Sequence, residues 1–137
     1  KGIYELGRLA LNPNYYEKNL TSWFLSKTIK LIRKETDVRA ILSYADSDLH
    51  VGYTYQATNF KYYGLTAQKK DFWILQDDGT YIKHQRGKTK GLKGEWRDRS
   101  RKHRYLLIFD KNLKCLWEEK PYPKGQNKSE FNHNLKT

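Results

Sequence analysis

Only one cysteine, Cys115, stands in the 137 residues. An intrachain disulfide is therefore impossible, and a metal site made of cysteines alone is excluded. The four histidines, His50, His84, His103 and His133, are scattered without the short spacings of metal ligands, so no metal site is expected. No stretch approaches the about 18 consecutive apolar residues of a membrane span. No signal-peptide pattern is visible, and a membrane is not expected as a partner. Glycine is missing from position 8 through position 51. Negative charge is scarce, with 15 Asp and Glu against 27 Lys and Arg.

Positive charge and aromatic rings are what the chain does have. The net charge is +12 and the isoelectric point near 9.7, which favours polyanions, nucleic acid first among them. Aromatics reach 15%, with eleven Tyr and four Trp, a content that argues against disorder and supplies both core and stacking faces. The length fits one domain, expected over 1–125, with 126–137 as a flexible polar tail.

Residues 2–11, GIYELGRLAL, alternate as a strand, and NPNYYEKN breaks it. Residues 20–35 predict a helix, with Leu20, Phe24, Thr28, Leu31 and Ile32 as its apolar stripe and Asn19 as its N-cap. VRAILSYA, 38–45, is a nearly continuous apolar run, the pattern of a strand covered on both faces. A loop over 46–50 and a helix over about 51–58 follow, with Asn59 suited to the left-handed stop. KYYGLT and DFWIL read as strands, and DDGT as a hairpin turn. Residues 83–104 carry ten Lys or Arg against Glu95 and Asp98 and predict an exposed basic insertion. YLLIFD, 105–110, is a further strand, and PYPKG is extended. The fold class is α/β (α+β), a mixed sheet flanked by helices, with a right-handed strand–helix–strand crossover.

Two pieces resemble the GCN5-related N-acetyltransferases, the GNAT fold. LALNPNYYEKNLTSWFL is similar to that family's cofactor segment of strand, loop and helix. YTYQATNFKYYG is similar to its second signature, a Tyr-bearing helix running into Gly-Phe and a strand, with Asn59 in place of the Gly. YELGRL, LSYAD, HVGYTYQATNF, RKHRY and PYPKG, in that order, resemble the phage Mom family, GNAT-like proteins linked to carbamoylmethylation of adenine in phage DNA. The resemblance runs from Tyr4 to Gly125. It implies a GNAT-like domain lacking the front strands, with acetyl-CoA or a related acyl-CoA as donor and DNA as partner. It also implies action in the bacterial host cytoplasm by a phage-encoded protein, and protection of DNA from restriction. The family's loop is glycine-rich where this chain has Asn19 and Thr21.

Under that resemblance the residues take roles. The start of the 20–35 helix offers amides and a positive dipole end to an anion, with Lys18, Asn19, Thr21 and Ser22 as donor-binding candidates; an ordinary capped helix is the alternative. Tyr55 is the general-acid candidate, or a core ring. Asp46 ends a strand where ligands gather in parallel sheets, and either handles the amine or turns the chain. Ser43 is a further catalytic candidate. His50 caps the helix or touches substrate. Arg8 faces a phosphate or is an exposed strand residue. Lys88, Lys90, Lys93, Arg97, Arg99, Arg101, Lys102 and Arg104 can neutralise DNA phosphates, and Trp96 can stack on a base. A solvated basic loop is the alternative. Two other functions stay open: a nucleic-acid-binding accessory protein without catalysis, and an acetyltransferase of proteins or small amines. The oligomeric state cannot be read from the sequence.

Overall fold

The computed structural model describes residues 1–125 apart from 8, 11 and 16. Within that range the chain forms two compact units, one from residues 1–66 with the chain after 101, the other from Ala67–Arg101. Arg8 and the expected tail lie outside the described residues. The fold is mixed α and β, with two sheets and few helices.

The first unit is a four-stranded sheet. Its strands are β1 (Ile3–Leu6), β2 (Ala40–Asp46), β3 (Lys61–Leu65) and β7 (Lys102–Ile108), in the order β1-β2-β7-β3. β1 and β2 are parallel, joined through a short 3-10 turn (Pro13–Tyr15) and α1 (Leu20–Glu35). β7 runs antiparallel to both β2 and β3. α2 (Tyr53–Ala57) links β2 to β3. The first strand ends at Leu6, earlier than the sequence pattern predicts. The last starts at Lys102, so the end of the basic stretch is built into the sheet.

α1 has the predicted bounds but buries a different stripe. Leu25 and Ile29 are buried, while Trp23, Phe24 and Leu31 are more than half exposed. The helix is apolar on two adjoining stripes, and packing against the sheet chooses the one turned by about 100°, a single residue. Asn19 also departs from the expected cap. It sits at φ 64° with no hydrogen bond from its side chain, and the Ser22 hydroxyl donates to its carbonyl at 3.0 Å. The helix closes on Thr36, whose amide and hydroxyl both donate to the Ile32 carbonyl, at 2.9 and 2.7 Å.

β2 buries Ile41, Ser43 and Ala45 on one face, while on the other Ala40 is buried and Leu42, Tyr44 and Asp46 are half-buried. Ile41 and Ala45 join Leu25, Ile29, Tyr55, Phe60, Tyr62 and Tyr105 in the main core. On the other face Ala40, Tyr63 and Leu106 pack with Leu42, Ile108, Leu113 and Cys115. Ring geometry carries much of the main core: Tyr55 lies 5.4 Å from both Phe60 and Tyr105, and Tyr62 5.2 Å from Tyr105, all tilted. Such pairs add about 0.5–1.5 kcal/mol each beyond area burial.

The second unit is a three-stranded antiparallel sheet, β4 (Lys70–Leu75) flanked by β5 (Tyr81–Lys83) and β6 (Gly94–Asp98). The Asp-Gly turn joins β4 to β5 as expected, tightened by Asp78 Oδ1, which accepts from the Thr80 amide at 2.9 Å and hydroxyl at 2.6 Å. The basic stretch is therefore not one exposed loop, since residues 94–98 are strand. No helix among the described residues is long and apolar enough to cross a membrane.

Candidate functional site

The carboxyl end of β2 is where the chain gathers its polar groups. β1 pairs with β2 only as far as Leu6 against Ser43, so Tyr44, Ala45 and Asp46 extend beyond it and pair with β7 alone. The carboxyl end of a strand is the usual ligand position in open sheets. Ser43 is fully buried, and its hydroxyl reaches the Leu6 carbonyl at 3.4 Å. Asp46 closes the strand with a turn: its Oδ1 accepts from the Asp48 amide, and its carbonyl from the amides of Leu49 and His50, each at 3.0 Å.

That turn delivers His50, and the antiparallel register places His103 of β7 opposite Ala45. His103 is 7% exposed, and its Nδ1 lies 2.7 Å from the Tyr62 hydroxyl on β3. Burial lowers the pKa of both imidazoles. The Asp46 charge opposes this at His50, and the His50 charge adds to it at His103. Both rings are thereby biased to the neutral form.

Gly52 takes φ 88°, with its carbonyl accepting from Tyr55 and Gln56 at 3.0 and 3.2 Å. α2 is only five residues, shorter than the predicted 51–58, because this left-handed residue starts it late and Thr58 turns off it early. Asn59 is left-handed at φ 69°, as expected of a helix stop. The Tyr105 hydroxyl donates to the Val51 carbonyl and accepts from Gln56 Nε2 at 2.9 Å. Burial pushes the Tyr105 phenol up to about 12. The extended PYPKG segment then clamps α2. Tyr53 donates to the Gly125 carbonyl, Gln56 to Pro123 at 3.3 Å, and Tyr122 to the Phe60 carbonyl. Tyr55 is held within this aromatic frame, 7% exposed.

The donor-binding candidates sit at the start of α1. The first intrahelical bond runs from the Trp23 amide to the Asn19 carbonyl at 2.9 Å. The amides of Thr21 and Ser22 precede it and form no hydrogen bond among the described residues. Lys18 is exposed beside them.

The basic candidates divide between the units. In the second, Arg97 lies over Trp73 and Tyr81, 4.8 and 4.6 Å from the ring centroids, and donates to Glu95 at 2.7 Å. Arg99 donates through Nε to Asp71 at 3.0 Å, and Lys83 stands 3.2 Å from the same carboxylate. These cations hold the Asp71 carboxyl below its ordinary pKa, the Arg99 hydrogen bond foremost. Arg97 and Arg99 thus serve the sheet's own charge balance. Trp96 is 58% exposed, resting on Phe72 at 5.2 Å. Lys88, Lys90 and Lys93 are exposed and make no ion pair among the described residues. In the first unit, Lys102 and Arg104 lie on the sheet face opposite His103, Arg104 stacked 3.9 Å over Trp117. Arg101 is the last residue of the second unit.

The distribution sets an expected salt response. Lys88, Lys90 and Lys93 changed together to Ala should make the log K against log salt slope for duplex DNA shallower by about 2–3, measured by fluorescence anisotropy. An unchanged slope would remove them from the phosphate contacts.

The histidine shifts set a pH response. With both folded pKa values depressed below about 6.5, unfolded chains take up protons first as pH falls. Stability is complete above that value and declines as pH drops through the folded pKa values. Asp71, Asp78 and Asp110, also depressed, act only below about pH 4. The melting temperature should hold between pH 7 and 8 and fall from pH 6.5 to 5, with His103→Asn flattening the decline. An unaltered decline in that variant would contradict the assignment.

Sequence reasoning missed His103, Tyr62 and Tyr105. RKHRY carried His103 in plain view, but pairing of β7 with β2 and β3 is what makes it part of a site.

The molecule is thus a mixed α/β protein whose parallel strand β2 ends in a polar turn, with a second, three-stranded sheet in its other unit. A family model described as the Mom protein family matches residues 1–124, and the chain belongs to that family. Membership gives it a phage DNA-modification-related function. No curated protein matches the chain.

Proposed function

We propose that the chain is a GNAT-like transferase that moves a group from an acyl-CoA to adenine bases in DNA. It does so as a phage-encoded protein in the bacterial cytoplasm, shielding the DNA from restriction. Family membership supports the DNA substrate. The observation that carries the donor side is the parallel β1–α1–β2 unit with a left-handed Asn19 and with Thr21 and Ser22 amides that form no hydrogen bond among the described residues. Because the Asn19 side chain does not cap the helix, those amides and the dipole end fit an anionic group such as a pyrophosphate. Lys18 adds a charge. The acyl donor would supply an activated carbon on a thiol leaving group.

The acceptor side rests on the residues at the carboxyl end of β2. Tyr55 is the proton donor to the leaving group, and Asp46 and Ser43 position the amine. Trp96 stacks on the exposed strand, Arg97 and Arg99 brace the sheet that carries it, and Arg101, Lys102 and Arg104 supply charge for phosphates. A base must leave the stack to be reached.

A second reading, a nucleic-acid-binding protein without catalysis, is favoured by the glycine-free stretch from 8 to 51, which gives no flexible cradle for a pyrophosphate. Acetyl-CoA separates the two. At about a hundred times its Kd it should stabilise the donor-binding protein by about 2.7 kcal/mol, a clear rise in melting temperature. DNA binding with no shift at millimolar acetyl-CoA would leave the second reading standing.

A further inference from the structure

We propose that His103 is the proton acceptor for the amine at this site, with Tyr62 as the residue that positions it and His50 as its neighbour toward the turn. The inference rests on the transferase reading above and assigns a base that the sequence did not single out.

A new C–N bond at an exocyclic amine requires that one N–H bond break. The electron pair of the donor's broken bond departs with its leaving group, and the amine proton needs a base. An adenine amine is a weak nucleophile because its lone pair is delocalised into the ring, so that base must be unprotonated and close at the moment of attack. Asp46 is tied into its turn, with Oδ1 accepting from the Asp48 amide at 3.0 Å. His103 is differently placed. It lies on the helix-covered face of β7, opposite the next-to-last residue of β2, and is 7% exposed. Its Nδ1 is engaged at 2.7 Å by the Tyr62 hydroxyl, and no hydrogen bond to Nε2 forms among the described residues. When Nδ1–H donates to Tyr62, the ring is locked with Nε2 as its acceptor, the geometry by which a second group fixes a catalytic imidazole. The groups around it are Tyr62 from β3, whose ring centroid lies 5.5 Å away, His50 from the turn after β2, and Tyr105 two residues on along the same face of β7. Asp46 pairs with Lys102 on the other face and acts on His50, while burial and the His50 charge lower the His103 pKa.

Two readouts test this. Ring-nitrogen NMR of the purified full chain should show His103 protonated on Nδ1 at pH 7.5, with that resonance altered in Tyr62→Phe. A ring protonated on Nε2 would overturn the proposal. In bacteria expressing the protein, the modified-adenine fraction of hydrolysed DNA should fall at least ~100-fold in His103→Asn and ~10-fold in Tyr62→Phe, with the wild-type melting profile checked in parallel. If His103→Asn does not fold, Tyr62→Phe decides. A folded His103→Asn that modifies DNA at the wild-type level overturns the proposal while the transferase reading stands. A wild type that modifies nothing overturns the transferase reading, and the base assignment with it.

Discussion

Gly52→Ala should cost about 2–4 kcal/mol, one of the largest single-residue losses in the chain. Two effects add. Gly52 sits at φ 88°, where an L side chain is strained by about 1–2 kcal/mol. A Cβ there would also stand 2.6 Å from Tyr105 Cε2 and 3.1 Å from Tyr55 Cδ2. Neither ring can retreat. Tyr105 is fully buried and anchored to Val51 and Gln56, and Tyr55 is packed between Phe60 and Tyr105. For a chain of this size the loss corresponds to roughly 10 °C in melting temperature. Thermal and urea melts check it. A shift within experimental error would mean that the α2 frame yields easily, and the rigid-site account would fail with it.

Tyr55→Phe should act in the opposite way, leaving the fold and removing the activity. The ring stays in the core with its contacts to Phe60 and Tyr105, so stability should change by about 1 kcal/mol or less. If the phenol supplies the leaving group's proton, as proposed, its loss should lower turnover by about 100-fold or more. Nucleoside analysis of DNA from cells expressing each form, at matched soluble protein, gives the ratio. Full activity in the phenylalanine variant would return Tyr55 to the core and take it out of the chemistry.

Local patterns carried the fold further than they carried the site. The bounds of α1 follow from its periodicity, and β2 from its unbroken apolar run, because both are decided by residues close in sequence. The buried stripe of α1 was not legible, since Phe24 and Leu31 offer as much apolar surface as Leu25 and Ile29, and only the sheet beneath chooses. The basic stretch read as a loop because its charges dominate. In β6 they alternate, Glu95 and Arg97 facing Trp73 and Tyr81 while Trp96 faces Phe72, and that alternation is meaningful only once β4 is beside it. Asp46 and Tyr55 were visible through a resemblance and through strand-end logic. The His103–Tyr62 pair was not, because it depends on β7 entering between β2 and β3, a long-range pairing that no local rule dictates.

PYPKG shows the same boundary. Its prolines make it extended from sequence alone. Its purpose is legible only in the fold, where Tyr122, Pro123 and Gly125 exchange hydrogen bonds with α2 and Phe60 and so hold Tyr55 in place.

The proposed activity is modification of adenine in DNA by residues at the carboxyl end of β2. Nucleoside mass spectrometry of DNA from bacteria expressing the full-length gene tests it most directly. The account expects a modified adenine that is present with the wild-type chain and lost with folded His103→Asn or Tyr55→Phe. Unmodified adenine alongside abundant soluble wild-type protein would contradict it.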